Sequence, residues 1–428
     1  MVTVSELGRY VGSEVKLSGW LYNSRSSGKL VFLVIRDGTG TCQCVVFSGN
    51  VSPEMFSLAN SLTQESSLTL TGTVKENPKQ PGVYEIDVKH IELIGPSVDY
   101  PISPKDHGVG FLMANRHLWL RSNKQWATLR VRSQVIKATR EFLDSQGFLN
   151  IDAPCLTPTA CEGTTTLFET DYFGKPAFLS QSGQLYNEAA AAAFGRVYCF
   201  GPVFRAEKSK TRRHLIEFWQ VEPEAAFVDH NENMHIQENM IEYIVKSVLR
   251  NCATEMKILE RDTSRLEKIV TPFPRITYTE AVKILNEKGS GIVWGSDFGA
   301  PDETILSEMN ERPLIIEKYP AQVKAFYMKQ DPENPKVVLC DDIIAPEGVG
   351  EIIGASQRED NLDILVKKIK EHGYGLESFE WYLDLRRYGT FVHSGFGMGI
   401  ERMTGWLANS EHVRETVPFP RLLDHIYP

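Results

Sequence analysis

Three stretches of the chain gather residue types that can handle a phosphorylated substrate. In Phe204-Arg-Ala-Glu207 an arginine and a glutamate stand two apart, so on a strand Arg205 and Glu207 would share a face. A guanidinium takes a phosphate, and a carboxylate accepts from an exocyclic amine; a nucleotide offers both. A basic loop from Lys208 to His214 and then Phe218 follow. Taken alone, an Arg-x-Glu pair is usually an ordinary surface ion pair. The second stretch, Gly395-Phe-Gly-Met-Gly-Ile-Glu-Arg402, alternates glycines, which would leave one strand face bare for a flat ring. It matches neither the dinucleotide fingerprint nor a Walker A loop, and close packing is its bland alternative. The third holds Asp342, Glu351 and Arg358. Carboxylates with few other protein ligands are a usual way to hold a Mg²⁺ carried by a nucleotide, while a Glu351–Arg358 salt bridge is the alternative.

These residues need a scaffold, and the composition allows one. The 428 residues are 42% hydrophobic and 24% charged, which suits about two or three globular domains. No run of about 18 apolar residues occurs, so no membrane span is expected. The start, Met1 to Glu6, lacks the pattern of a signal peptide. Seven scattered cysteines, including Cys42 and Cys44, suggest reduced thiols and a cytoplasmic protein. A net charge of −9 argues against a broadly basic nucleic-acid binder, yet phosphate contacts need only a local basic face.

Residues 1–95 carry five short strand patterns. They are Val15–Tyr22, Leu30–Ile35, Thr41–Phe47, Ser67–Val74 and Tyr84–Ile91, with a hairpin turn at Asp37-Gly-Thr-Gly40. Five such strands suit a small Greek-key barrel of the OB type. Its 8 Lys/Arg and 9 Asp/Glu nearly cancel, so a basic face there must come from arrangement. Pro96, Pro101, Pro104, Gly108 and Gly110 mark a linker, taken as 96–118. In 119–428, Val131–Gln146 has helical periodicity with Gly147 as a C-terminal stop. Beyond it, strands and helices mix without βαβ regularity. The expected class is α+β, with an antiparallel sheet flanked by helices. The segment from about Asn239 to Pro335 reads as a mixed insertion with no assigned role.

Together and in this order, the constellations resemble class II aminoacyl-tRNA synthetases of the aspartyl/asparaginyl/lysyl subgroup. The resemblance spans essentially the whole chain. The stretch ending at Ile151-Asp-Ala-Pro154 is similar to motif 1, Phe204–Glu224 to motif 2 and Gly395–Arg402 to motif 3. The resemblance implies a homodimer with an N-terminal anticodon-binding OB domain. By the same resemblance, Arg205 bridges the α-phosphate and the amino-acid carboxylate. Glu207 receives the adenine amine, Phe218 stacks on adenine, and Arg402 covers its other face and holds the γ-phosphate. His214 touches phosphate, and Asp342 and Glu351 hold Mg²⁺. Gln184 and Glu162 receive the substrate ammonium. In the barrel, Phe32 stacks an anticodon base, Gln43 hydrogen-bonds it, and Arg25 touches the backbone. The bland reading of Phe32 is barrel core.

The implied activity is activation of L-asparagine by ATP and its transfer to the 3′-OH of tRNA(Asn). An asparagine side chain needs one donor and one acceptor, and Arg358 and Glu222 can supply them. Aspartyl enzymes of the subgroup usually carry a shorter aspartate at the position of Glu222. They carry a lysine where this chain has neutral Asn187. The rival is an aspartyl enzyme, including one that also charges the asparagine tRNA. Asparagine synthetases on the same catalytic domain lack the anticodon module.

Overall fold

The structure is a computed structural model that describes residues 2–158, 160–161 and 167–428. The chain divides into two compact units, Met1–Gly108 and Val109–Pro428. The first is a closed five-stranded barrel of β1 (Glu14–Ser27), β2 (Leu30–Arg36), β3 (Thr41–Phe47), β4 (Ser67–Glu76) and β5 (Tyr84–Gly95). Its order, β1-β2-β3-β5-β4, closes on itself and leaves no sheet edge. Alternation decides the inside: Val31, Leu33 and Ile35 are buried, so Leu30, Phe32, Val34 and Arg36 face outward. At the β2–β3 turn, Asp37 Oδ1 accepts from Thr39 N at 2.8 Å and Gly40 N at 3.2 Å. Between β3 and β4 runs a helix, Pro53–Ser61, absent from the strand reading. Its start was written in Ser52-Pro53: Ser52 Oγ accepts from Met55 N at 3.2 Å, and proline occupies the first turn.

Part of the expected linker is helical. Val109–Ala114 and Arg116–Trp119 are helices of the second unit. Arg116 is the reason: fully buried, it donates to Val417 O, Gln125 Oε1 and Pro418 O at 2.7–2.9 Å. The main helix, Asn123–Ser145, begins eight residues before the periodicity does, because Ser122 caps it. Gly147 follows its end at φ +78°, where only glycine is unstrained.

The second unit holds eleven strands among its described residues. They are β6 (Leu149–Asn150), β7 (Leu156–Thr157), β8 (Glu169–Tyr172), β9 (Lys175–Leu179), β10 (Arg196–Phe204) and β11 (Glu217–Ala226). β12 (Arg275–Thr277), β13 (Leu314–Glu317), β14 (Cys340–Ala345), β15 (Gly350–Gln357) and β16 (His393–Gly399) complete them. Eight form one sheet, β12-β13-β14-β15-β16-β11-β10-β6, antiparallel except at its two outer pairs. β7, β9 and β8 form a small second sheet.

Helices Asn123–Ser145 and His230–Asn251 cover one face of the large sheet. Val131, Val135, Ile241 and Ile244 pack there against Val221, Ile353 and Met398. The residues expected as an insertion belong to this sheet: β12 and β13 extend its edge, and helices Tyr278–Glu287 and Ala300–Glu308 pack beside them. All seven cysteines are free, and no helix of the described residues is long and apolar enough to cross a membrane.

Candidate active site

The other face of the sheet carries the chemistry, and its register explains why. Asp342 on β14 stands opposite Gly354 on β15, which stands opposite Gly397 on β16. Gly354 thus leaves the floor beside a carboxylate without a side chain of its own. A Cβ at Gly354 would lie 3.2 Å from Glu351 Oε1 and 3.5 Å from Asp342 Oδ1, so both carboxylates converge on that bare spot. The glycine stripe of β16 differs from expectation. Space at Gly397 is taken by the Gln220 side chain and space at Gly395 by the Glu224 carboxylate, because β11 lies alongside. Gly399 alone of the three opens onto free space.

One cavity over this floor is lined by Arg205, Glu207, His214, Phe218, Glu351 and Arg402. β10 ends at Phe204, so Arg205 and Glu207 sit on the loop beyond it and not on the expected strand. Arg205 N still donates to Ile216 O at 2.9 Å, which keeps the pair on the cavity side. The Arg205 guanidinium lies 5.4 Å from the Phe218 ring centre. Arg402, early in helix Ile400–Leu407, donates to Glu351 O at 2.8 Å and to Glu351 Oε2 at 3.3 Å. Glu351 therefore pairs with Arg402 and not with Arg358. Burial pushes the Glu351 carboxyl up, but Arg402, Lys324 and Arg205 outweigh it and hold it below its usual range. Burial, and then Arg402, lower His214 below the usual histidine value.

An adjoining cavity is lined by Ser182, Gln184, Glu222, Lys324, Asp342 and Arg358. Arg205, Gln220, Glu351 and Gly397 line both cavities. Glu222 is buried; it accepts from Gly183 N at 2.8 Å, from Ser182 Oγ, and from Cys199 Sγ at 3.4 Å. Burial raises this carboxyl above its usual value against those hydrogen bonds. Arg358 is forked onto Glu224 and donates to Ser356 Oγ at 2.7 Å. Its partner Glu224 is pushed by burial, against Arg358, up to about 7. Asn187 is fully buried behind Glu222 and donates to its backbone oxygen at 2.8 Å. It supports the cavity wall and is not one of its lining residues. Glu162 lies outside the described residues.

Several residues of this site carried no readable signal. Glu188, fully buried, accepts from Gln184 Nε2 at 3.1 Å, from Arg386 and Tyr382 OH at 2.8 Å, and meets His393 Nε2 at 2.9 Å. Burial would raise it, but Arg386 and His393 hold it well below the carboxylate range. Its bond to Gln184 Nε2 leaves the Gln184 Oε1 lone pairs for a ligand. Ser182 is visible only as a neighbour of Gln184 in Ser180-Gln-Ser-Gly-Gln184, and Lys324 belongs to no motif.

The barrel has its own polar face. Arg25 stands opposite Phe32, its guanidinium 4.6 Å from the ring centre. Gln43 stands opposite Val34 and donates to Glu85 Oε1 at 2.9 Å. Phe32 faces outward with both, so the core reading of this side chain is corrected.

Comparison with known proteins agrees with this geometry. Residues 109–423 match the family of class II tRNA synthetases (D, K and N), and residues 15–94 match the OB-fold nucleic acid binding domain. The chain is 57% identical, over its whole length and 98% of the relative's, to an asparagine–tRNA ligase of Chloroflexus aurantiacus. It is 56% identical, over its whole length and 99% of the relative's, to that of Pelotomaculum thermopropionicum. The asparaginyl-tRNA synthetase of Pyrococcus horikoshii, solved with asparaginyl-adenylate, superposes with a TM-score of 0.97 at 43% identity; the match covers all of this chain and 99% of that one. Barrel, mainly antiparallel sheet and a family match over most of the length place the chain among the class II tRNA synthetases of the D, K and N group.

Proposed function

We propose that the chain joins asparagine to tRNA(Asn) in two steps, forming asparaginyl-adenylate from ATP and then transferring the asparaginyl group. The carrying observation is the wall common to the two cavities, with Arg205, Gln220, Glu351 and Gly397 lining both. A residue on that wall can touch a nucleotide and an amino acid at once. Arg205 then binds the asparagine carboxylate and the α-phosphate together and brings them into line. The carboxylate oxygen attacks phosphorus and pyrophosphate leaves. No protein nucleophile is needed, and catalysis is orientation plus charge stabilisation.

Phe218 stacks on adenine, Glu207 accepts from its amine, and Arg402 holds its other face and the γ-phosphate. His214, in the loop beyond β10, contacts phosphate. Gln184, fixed by Glu188, accepts from the substrate ammonium together with Glu162. Glu222 accepts from the asparagine amide and Arg358 donates to its oxygen, with Asn187 securing Glu222 from behind. Asp342 and Glu351 fit a magnesium ion brought by ATP. They converge on the bare Gly354, and this ion favours one or two carboxylates with substrate phosphates. When bound, it offsets phosphate charge as a Lewis acid.

In the second step the 3′-OH of the tRNA attacks the adenylate carbonyl and AMP leaves. Phe32 stacks an anticodon base, Gln43 hydrogen-bonds it, and Arg25 meets the backbone. The assembly expected of the family is a cytoplasmic homodimer, which sedimentation of the purified chain checks.

ATP–pyrophosphate exchange with asparagine and with aspartate tests the substrate. A site built to satisfy an amide can reject its acid counterpart by roughly 10⁴-fold. Exchange should therefore depend on asparagine, with little for aspartate. Comparable rates with the two would favour the aspartyl reading.

A further inference from the structure

Lys324 belongs to no motif, yet it lines the second cavity together with Asp342. It follows Ala321–Val323, a short turn on the connection from β13 to β14. Its ammonium lies 2.8 Å from Asp342 Oδ2 and 3.9 Å from the centre of the Tyr319 ring. Tyr319 is fully buried, and the Lys324 side chain is only 15% exposed. An ammonium so enclosed is not a replaceable surface charge, because it gave up hydration for these two contacts.

The two oxygens of Asp342 face different ways. Oδ2 takes the lysine, while Oδ1 points with Glu351 Oε1 at the bare spot over Gly354. Two carboxylates brought to one spot repel each other and would turn apart without a counter-charge. We propose that Lys324 is the positioning residue of the cation site, holding Asp342 Oδ2 so that Oδ1 and Glu351 stay turned toward the magnesium ion that ATP brings. This rests on the reading of Asp342 and Glu351 given above.

Because the lysine and the metal use different oxygens, they do not compete. That separates the proposal from two others by sign. A competing lysine, once removed, would let the metal bind more tightly. A lysine that only stabilises the fold would leave metal affinity unchanged.

The measurement is Mn²⁺ binding, read by electron paramagnetic resonance, to the full chain with a non-hydrolysable ATP analogue. Lys324→Met keeps the apolar stem and removes the charge. It should weaken Mn²⁺ binding about tenfold or more, the range seen when a group orienting a metal ligand is lost. The magnesium requirement of asparagine-dependent exchange should rise in parallel, with KM for asparagine within about twofold of its starting value. Lys324→Arg should recover most of the affinity. Lys324→Gln, shorter and uncharged, stands in if the methionine variant does not fold, and it should also weaken Mn²⁺. Unchanged or tighter Mn²⁺ binding in a folded charge-free variant would overturn the proposal. Absence of asparagine-dependent exchange in the unaltered chain would instead overturn the functional reading beneath it.

Discussion

At the scale of single residues, the nucleotide reading is tested at Arg402, the proposed γ-phosphate contact, which also donates to Glu351. Arg402→Ala should cost about 2–3 kcal/mol of transition-state stabilisation, seen as a fall in kcat/KM for adenylation, with the melting temperature little changed. Near-normal adenylation would remove Arg402 from the nucleotide site. Gly354→Ala is a finer probe. Its Cβ would enter the point on which Asp342 and Glu351 converge, at 3.2 Å from one and 3.5 Å from the other. Magnesium titration of the exchange reaction should then show a higher half-saturation point; an unchanged curve would mean the cation sits elsewhere. Arg205, Glu207 and Arg402 were legible because a family motif writes them at fixed spacing. Lys324 and Glu188 were not. Glu188 meets Arg386 and His393 across 198 and 205 residues of chain, and only the folded sheet brings them together.

Among elements, the helix Ala300–Glu308 does more than extend an edge. Glu303 takes Arg213 of the loop between β10 and β11 at 2.9 Å, and Thr304 Oγ1 takes the same guanidinium at 2.9 Å. The helix thereby ties down the loop that carries His214. Burial and the neighbouring Glu351, against Arg402 and Arg213, push Glu303 up to about 7 from 4.5. A raised carboxyl favours the fold fully below the unfolded value, and that contribution is lost as pH rises through the folded value. Glu303→Gln keeps the neutral form at every pH. Its melting temperature relative to the unaltered chain should therefore rise between about pH 4.5 and 7 and level off above. A pH-independent difference would contradict the shift.

The barrel strands show how element reading succeeds. Strict alternation in Leu30–Arg36 puts half-buried Phe32 on the face opposite the buried Val31, Leu33 and Ile35. Phe32→Ala should leave exchange intact and weaken tRNA charging, since stacking a base is worth about 1–3 kcal/mol. Unchanged tRNA charging by that variant would contradict the stacking role. The helices at 109–119 were illegible for a different reason: their anchor, Arg116, finds its partners about 300 residues away.

For the whole molecule, two compact units divide the proposed task. The sheet carries a two-cavity trough whose common wall includes Arg205, and the barrel carries an outward aromatic and amide face. The α+β class and the barrel could be read from periodicity alone, because both follow from local alternation. The order of the eight strands could not, since β15–β16 pairing spans a helical excursion and β11–β16 pairing joins residues far apart in the chain. The proposed asparagine specificity belongs to this scale too, because the Glu222 carboxylate and backbone oxygen are held by Ser182, Gly183 and Asn187 from another part of the chain. The most direct test of the central claim is aminoacylation of an asparagine tRNA transcript by the full chain with ATP, supplied with asparagine or with aspartate. The esterified amino acid is released and identified. Asparagine on the tRNA, with aspartate nearly absent even when supplied alone, is the predicted result; aspartate esterified at a comparable rate would contradict it.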